Sequence, residues 1–222
     1  MRFRDRSDAG RKLAEALVPR VRGEDAIIYP LPRGGVPLGI EIARVLHMPV
    51  DLIIPRKIGH PYNPEYAIGA VTEHGDPVIN ALEVERVDPT WYQTELAAQR
   101  EEARRRRERY LGTRAPLPVE GKTAILVDDG IATGLTMRAA IAEARQRHAA
   151  RIVVAIPVAP KDTYDALARE VDAVVAVAVE AYYLGAVGAY YDRFEQLTDD
   201  EVVRMLEDVQ REQKLDVGEA SA

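Results

Sequence analysis

Unbroken apolar runs alternate along the chain with segments whose apolar positions recur at helical spacing. Five runs predict strands: 26–31 (AIIYPL), 50–54 (VDLII), 124–127 (AILV), 152–158 (IVVAIPV) and 173–179 (AVVAVAV). Several of them are rich in β-branched residues, which is typical of strands that are covered on both faces. The pattern therefore predicts an α/β fold, an open, twisted, mainly parallel sheet with helices on both faces.

Helical spacing predicts the connections between these strands. Residues 36–47 and 137–148 each form a helix, another helix follows Pro160, and a C-terminal helix extends roughly from Asp199 to Lys214. Thr198 and Glu201 form a capping box ahead of that last helix, because the hydroxyl and the carboxylate can each bind a free backbone N–H group.

Two segments interrupt the alternation. Residues 60–65 (HPYNPE) are polar and contain two prolines, so they predict an exposed loop or lid. Residues 89–111 predict a long charged helix with Asp88 as its N-cap and Pro89 in its first position. One narrow and imperfect stripe runs along this helix: Tyr92, Leu96, Gln99, Ala103 and Tyr110.

Composition narrows the class of protein. A chain of 222 residues predicts a single domain, and the absence of cysteine excludes disulfides, thiolate zinc sites and a cysteine nucleophile. The net charge of −6 argues against a general nucleic-acid-binding protein. The start of the chain lacks a signal-peptide core, and no apolar stretch approaches the ~20 residues of a membrane helix. We expect a cytoplasmic protein with no membrane partner.

The most informative motif is LVDDGIATGLT, residues 126–136. Ligands of open parallel sheets bind at the carboxyl ends of strands, and here a strand ends at two carboxylates, Asp128 and Asp129. Gly130 and Gly134 allow backbone N–H groups to approach an anion, and the following helix N-terminus favours a phosphate. The carboxylates suit sugar hydroxyls and a nearby Mg²⁺. A phosphorylated ribose satisfies both halves of the loop.

Residues 125–137 (ILVDDGIATGLTM) resemble the phosphoribosyl-pyrophosphate (PRPP) signature of the type I phosphoribosyltransferases. Residues 31–36 (LPRGGV) resemble the pyrophosphate loop of that family, and Arg56-Lys57 is similar to the basic pair of its orotate-type members. The end-to-end pattern is most similar to uncharacterised bacterial phosphoribosyltransferase-domain proteins. This resemblance implies a core at about 25–180, hood or lid elements at about 55–75 and 180–197, and a helical insertion at about 88–114.

The resemblance also implies a reaction, the transfer of the 5-phosphoribosyl group of PRPP to a nucleobase-like acceptor with release of pyrophosphate and with Mg²⁺ as cofactor. The implied catalytic residues are Arg33, Lys57, Asp128 and Asp129. Ribose and 5′-phosphate would be bound by Asp128, Asp129, Gly130, Ile131, Ala132, Thr133, Gly134 and Thr136. Pyrophosphate would be bound by Arg33, Gly34, Gly35, Arg56 and Lys57. The 58–65 loop would close over the site, with Glu65 as a candidate general base.

The acceptor side is less defined. Residues 186–197 (AVGAYYDRFEQL) are similar to a late stretch of hypoxanthine-type transferases, which implies Asp192 as a site carboxylate and, with Asp128 and Asp129, as a metal ligand, direct or through water. Lys161 matches a base-reading lysine in those enzymes. Ala132 and Gly185 replace an acid and a stacking aromatic of that family. Two interpretations are open for the nearby tyrosines, which either stack on a planar base in place of that aromatic or pack in the core or lid: Tyr182, Tyr183, Tyr190 and Tyr191.

A second interpretation is a regulatory protein that binds PRPP or a nucleotide without transferring it. The arginines of the 89–111 helix could contact RNA, but Glu101 with Arg105 and Glu102 with Arg106 have the i,i+4 spacing of a solvated helix face. Nucleic acid is therefore not the expected partner. We expect PRPP, an unidentified small acceptor and a second copy of the chain, in a homo-oligomer.

Overall fold

A computed structural model describes residues 1–219, with side chains as far as residue 213. The helices are α1 (Arg6–Val21), α2 (Gly35–Leu46), α3 (Ala81–Val84), α4 (Pro89–Leu111), α5 (Leu135–Gln146), α6 (Lys161–Leu167) and α7 (Asp199–Glu219). The strands are β1 (Ala26–Pro30), β2 (Arg56–His60), β3 (Asn63–Val71), β4 (Val78–Ile79), β5 (Thr123–Val127), β6 (Arg151–Pro160) and β7 (Ala173–Glu180). A short 3₁₀ helix occupies Val187–Tyr190.

The central sheet is parallel, with the strand order β1-β5-β6-β7. The predicted α/β class is thereby confirmed. In the register of the first pair, Ala26 lies opposite Thr123 and Pro30 lies opposite Val127. Both strands end at the same level, so the chain segments that follow Pro30 and Val127 leave the sheet side by side.

Successive residues of these strands pack on opposite faces, as the period of two requires. Ile28, Ile125 and Val153 belong to a core with α1, α2 and α7. Ile27, Leu126 and their neighbours belong to a second core with α5 and α6. Strands β1, β5 and β6 are covered on both sides, which explains why the sequence shows apolar runs there without polar alternation.

The prediction of a strand at 50–54 is wrong. Only Val50 pairs with β1, in a single parallel bridge to Ile28, with Asp51 donating its backbone N–H to the Ile28 carbonyl at 3.0 Å. The Asp51 side chain is completely buried, and its carboxylate accepts hydrogen bonds from the backbone N–H groups of Leu52 and Leu117, both at 2.8 Å. This buried acid interrupts the apolar run and holds the segment beside the sheet.

The polar segment predicted as an exposed loop at 60–65 is the tip of a β-hairpin. Strands β2 and β3 pair antiparallel from Arg56–Val71 to His60–Asn63, and β4 extends this second sheet. Tyr62 at the turn is 92% exposed. The segment is therefore exposed as expected, although most of it is regular strand.

Helix α4 has the predicted bounds, and the Asp88 carboxylate caps it by accepting the N–H of Trp91 at 2.7 Å. Glu102 pairs with Arg106 as predicted, at 2.8 Å, whereas Glu101 pairs with Arg104 instead of Arg105. The capping box of α7 is also present, with Thr198 and Glu201 bonded in both directions. Within residues 1–219, no helix is both long and apolar enough to span a membrane.

The N-terminal helix α1 was not predicted. It packs against α2 and the sheet through a stripe that includes Ala9, Leu13 and Leu17. The Asp5 side chain caps it by accepting the N–H of Asp8 at 2.9 Å. As a consequence, the first residue of the helix, Arg6, is held beside the carboxyl end of the sheet.

We expect Asp51→Ala to destabilise the fold by about 3–5 kcal/mol, because it leaves buried cations without their counter-charge. Arg107 contacts the Asp51 carboxylate at 2.8 Å and Arg114 at 3.5 Å. Denaturant unfolding measures the change. Asp208→Asn, which removes an exposed ion pair with Arg211, is the control and should leave the unfolding midpoint unchanged. Equal midpoints for Asp51→Ala and wild type would contradict this role.

Candidate functional site

The loop between β5 and α5 carries the acidic motif. Gly130 lies against Val187, where a Cβ atom would approach within 2.6 Å, and its φ of 154° is one that side chains rarely adopt. Gly134 has a φ of 78° and caps α5. Both glycines are therefore required by the turn, which leads directly into a helix N-terminus whose first N–H groups have no acceptors within the helix.

These N–H groups make the loop suitable for an anion. Helix α5 has twelve residues, and its dipole places partial positive charge at the turn. Thr133 is exposed and Thr136 is half-buried, so both hydroxyls can reach a ligand above the loop. Ile131, in contrast, is buried and donates its N–H to the Val158 carbonyl at 3.1 Å. The loop thus combines a rigid base with an open polar rim.

Asp128 and Asp129 are adjacent at the start of this loop. The backbone N–H of Asp129 donates to Asp128 Oδ1 at 2.9 Å, and the Arg6 Nε atom donates to Asp129 Oδ2 at 2.9 Å. Burial, together with the charge of Asp129, raises the pKa of Asp128 well above its ordinary value. Burial also raises the pKa of Asp129, and Arg6 opposes that shift. The pair is thus a shielded acidic centre with one close cation.

The 31–36 segment lies directly against this pair. A Cβ atom at Gly34 would lie 2.0 Å from Asp129 Oδ2, and one at Gly35 would lie 2.4 Å from the Val127 carbonyl oxygen. The peptide bond between Pro32 and Arg33 is cis. The structure therefore brings together the two loops that the sequence motifs selected, and glycine is the only residue that fits between them.

Arg33 leaves this segment toward α7. Its Nη1 atom donates to Asp199 Oδ1 at 3.3 Å, and Asp199 also accepts hydrogen bonds from Arg109 at 2.7 Å and from the Tyr110 hydroxyl at 2.6 Å. The Tyr110 hydrogen bond is the main cause of a lowered pKa for Asp199, so this carboxylate is a stable anion. In this arrangement the charge of Arg33 is paired with Asp199.

Arg56 and Lys57 lie at the start of β2 and line a cleft of about 550 Å³. The cleft extends from the hairpin and α4 to Thr136 of the acidic loop, and Glu65 lies on its rim. Arg56 donates to Gln99 at 3.1 Å, and burial lowers its pKa. Lys57 is exposed. Basic side chains therefore line the cleft between the acidic loop and the hairpin.

A second cleft of about 590 Å³ lies on the other side of the loop. Ala132, Lys161 and Tyr183 line it, and Lys161 pairs with Asp165 at 2.7 Å. Tyr182, a candidate for this side in the sequence, is 91% exposed and does not line the cleft. Tyr183 is the neighbour that lines the cleft.

The remaining acceptor-side candidates lie apart from this cleft. Tyr190 and Tyr191 are buried in the core, and the Tyr191 hydroxyl donates to the Asp129 carbonyl at 2.6 Å. Asp192 is 54% exposed and pairs with Arg2 at 2.9 Å. Among the described side chains, no group of three acids, histidines or cysteines is arranged to hold a metal. The expected trio of Asp128, Asp129 and Asp192 is therefore not assembled.

Two residues of the site were missed in the sequence. Arg6 reaches Asp129 from α1, and Asp199 reaches Arg33 from α7. Each lies more than a hundred positions from its partner, so local spacing carries no signal for the contact. The capping box at 198–201 identified the start of α7 but not the direction in which Asp199 points.

The family model described as "Phosphoribosyl transferase domain" matches residues 4–184. A Mycobacterium tuberculosis (strain H37Rv) protein named "Putative phosphoribosyl transferase Rv0571c" is 40% identical over 212 residues, which are 95% of this chain and 47% of that protein. The chain thus spans about half the length of the curated relatives it matches.

Two solved structures are similar to this chain. The crystal structure of TT1426 from Thermus thermophilus is 42% identical, with a TM-score of 0.78, and the alignment covers 93% of this chain and 98% of that one. The AQ2163 protein from Aquifex aeolicus is 10% identical with a TM-score of 0.51, covering 79% and 74%, which is a likeness of fold alone.

We expect Gly34→Ala to weaken binding of ribose 5-phosphate by about 100-fold, because the new methyl group must displace the Asp129 carboxylate. Calorimetric titration measures the affinity. Gly23→Ala is the matched control: its φ of 79° makes alanine cost about 1 kcal/mol of folding stability, but no neighbour lies within 4 Å. Wild-type affinity in Gly34→Ala would show that Asp129 does not need its present position.

Proposed function

Since the chain belongs to the phosphoribosyl transferase domain family, we propose that it transfers the 5-phosphoribosyl group of PRPP to a nucleobase-like acceptor and releases pyrophosphate. The observation that carries this proposal is the close packing of Gly34 against Asp129 and of Gly35 against Val127 and Asp128, which joins a basic loop to an acidic one. PRPP is a ligand with an anionic diphosphate, a neutral diol and a terminal phosphate. The two loops together offer a complement to each part.

In this reaction the bond between C1′ of the ribose and the diphosphate oxygen breaks, and a bond from C1′ to the acceptor forms. The N-terminus of α5 and the hydroxyls of Thr133 and Thr136 hold the 5′-phosphate. Asp128 and Asp129 accept hydrogen bonds from the ribose hydroxyls and stabilise the positive charge that develops on the ring. Positioning and electrostatics then supply most of the rate acceleration.

The leaving diphosphate belongs on the basic side of the loop. Lys57 and Arg56 line the cleft that reaches Thr136, and Pro32 lines it as well. Arg33 follows Pro32 in the chain and pairs with Asp199. Cations at these positions stabilise the charge that builds on the departing group. The β2–β3 hairpin borders the same cleft, so its movement toward α4 would exclude water from PRPP. Glu65 on β3 is the candidate base within that hairpin.

The acidic pair also fits Mg²⁺. This ion is usually held by one or two carboxylates together with substrate phosphates and water, and it does not need an all-protein cage. Asp128 and Asp129 supply two carboxylates beside the proposed diphosphate position, directly or through water. When bound, Mg²⁺ would neutralise part of the diphosphate charge. Asp192 has Arg2 as its partner and is not needed for this arrangement.

The acceptor would enter from the cleft that is lined by Ala132, Lys161 and Tyr183. Tyr183 offers an aromatic surface there, stacked on Tyr190 with ring centroids 5.4 Å apart. The Ala132 side chain cannot accept a proton. A general base for the nucleobase-like substrate must therefore come from another residue, or the substrate must bind in its deprotonated form. A planar nitrogen heterocycle is the acceptor class that suits this cleft.

A PRPP-binding regulator is the second candidate, favoured by Ala132 in place of an acid. The arginines of α4 do not support RNA binding: Arg104, Arg105 and Arg106 pair with glutamates of the same helix, and Arg107 and Arg109 pair with Asp51 and Asp199. A cytoplasmic location and a homo-oligomeric state belong to the same proposal as the transferase.

The test is a screen of nucleobases with PRPP and Mg²⁺ in which diphosphate release is measured. We expect release with at least one planar heterocycle, and Lys57→Gln should reduce kcat by about 10²-fold because a transition-state cation is lost. PRPP binding without turnover of any acceptor would favour the regulator. Absence of PRPP binding would contradict both.

We expect Asp128→Asn with Asp129→Asn to abolish PRPP binding while the fold persists, because amides cannot replace charged acceptors for the diol. Calorimetric titration and circular dichroism together measure the two outcomes. Asp165→Asn, which removes the partner of Lys161 on the other side of the loop, is the control for the loss of a carboxylate. Unchanged PRPP affinity in the double variant would refute the assignment of the acidic pair.

A further inference from the structure

Arg6 is the cation closest to the acidic pair, and it comes from outside the loops that form the proposed site. It is the first residue of α1, and its side chain is only 12% exposed. The Nε atom donates to Asp129 Oδ2 at 2.9 Å, and Nη1 donates to the Glu195 carbonyl at 2.8 Å. The Phe194 ring lies 3.9 Å from its guanidinium carbon. These contacts fix the guanidinium in one orientation.

The orientation of Arg6 also determines which carboxylate oxygens remain open. Asp129 Oδ2 is bonded to Arg6, and Asp128 Oδ1 is bonded to the backbone N–H of Asp129. Within the described contacts, Asp129 Oδ1 and Asp128 Oδ2 accept no hydrogen bond. One oxygen of each acid therefore has no partner among the described residues, which matches the two hydroxyl groups of a ribose.

We propose that Arg6 is a positioning residue for ribose: it holds one oxygen of Asp129 so that the other faces the diol beside Asp128. This inference rests on the proposed function. Arg6 acts through Asp129 and not by touching the ligand, because its side chain is only 12% exposed and is held between Phe194, the Glu195 carbonyl and Asp129. Tyr191 fixes the same residue from the backbone side, through its bond to the Asp129 carbonyl.

Gly34 and Arg6 constrain Asp129 from two directions. Gly34 lies so close to the carboxylate that a Cβ atom there would be 2.0 Å from Oδ2, and Arg6 bonds the same oxygen from α1. Loss of Arg6 would leave Asp129 beside Asp128 without its close cation. The two carboxylates would then repel each other, and the Asp129 side chain would leave the orientation that suits the diol.

Arg6→Gln should raise the KM for PRPP roughly tenfold or more and change kcat by less than about twofold, because a charge-assisted bond that orders the ground-state site is lost. Arg6→Lys keeps the charge without the planar stacking group, so its KM should fall between the two values. Phe194→Leu should give a smaller rise, since the Asp129 bond remains. Arg11→Gln on the same helix, whose partner Glu41 is 3.5 Å away, is the matched control and should leave KM unchanged.

The same variants are titrated with PRPP and with ribose 5-phosphate by calorimetry, with circular dichroism as the measure of folding. Wild-type affinity in folded Arg6→Gln would overturn the role of Arg6 and leave the proposed function intact. Wild type that binds neither ligand would overturn the proposed function itself. If Arg6→Gln does not fold, the Arg6→Lys and Phe194→Leu variants decide, and unchanged KM values in both would overturn the inference.

Discussion

The close approach of the Gly34 backbone to Asp129 is the contact on which the proposed site depends. It follows from the sheet, because β1 and β5 are parallel neighbours that end at the same level, at Pro30 and Val127. Two loops that leave adjacent strands must occupy the same space, and a side chain at position 34 would separate them. Glycine therefore allows a loop that carries Arg33 and a loop that carries two carboxylates to act on one ligand.

Arginines around this contact form ion pairs with carboxylates of the same chain. Asp129 pairs with Arg6, and Asp199 pairs with Arg33, Arg109 and the hydroxyl of Tyr110. These pairs connect the site loops to α1, α4 and α7, so helices that are distant in sequence meet at the carboxyl end of the sheet. An anion that takes Arg33 must compete with Asp199, whereas Arg6 is enclosed and keeps its partner. The two arginines therefore differ in how free they are to reach a ligand, although both are half-buried or more.

The sequence predicted the sheet and both loops because their information is local. An apolar run followed by glycines and acids is readable in about a dozen residues, and β5 with the 128–134 turn is such a segment. The prediction failed where tertiary contacts decide. Asp51 ends the strand predicted at 50–54 because its carboxylate is buried against Arg107, which lies 56 positions away. The N-terminal helix was not predicted, although Ala9, Leu13 and Leu17 form its buried stripe.

The same distinction explains why the phosphate and ribose half of the proposed site could be predicted from the sequence more fully than the acceptor half. The phosphate and ribose half consists of backbone N–H groups and adjacent carboxylates from contiguous motifs, so one strand and one turn place them. The acceptor half draws Ala132, Lys161 and Tyr183 from three separate elements, and the identity of each side chain there depends on a ligand rather than on the fold. Tyr182 and Tyr183 are adjacent, yet one is exposed and the other lines the cleft. After β7, a shift of one position along the chain thus decides whether an aromatic ring lines the cleft. The local sequence does not contain this information, because it depends on the three-dimensional course of the segment.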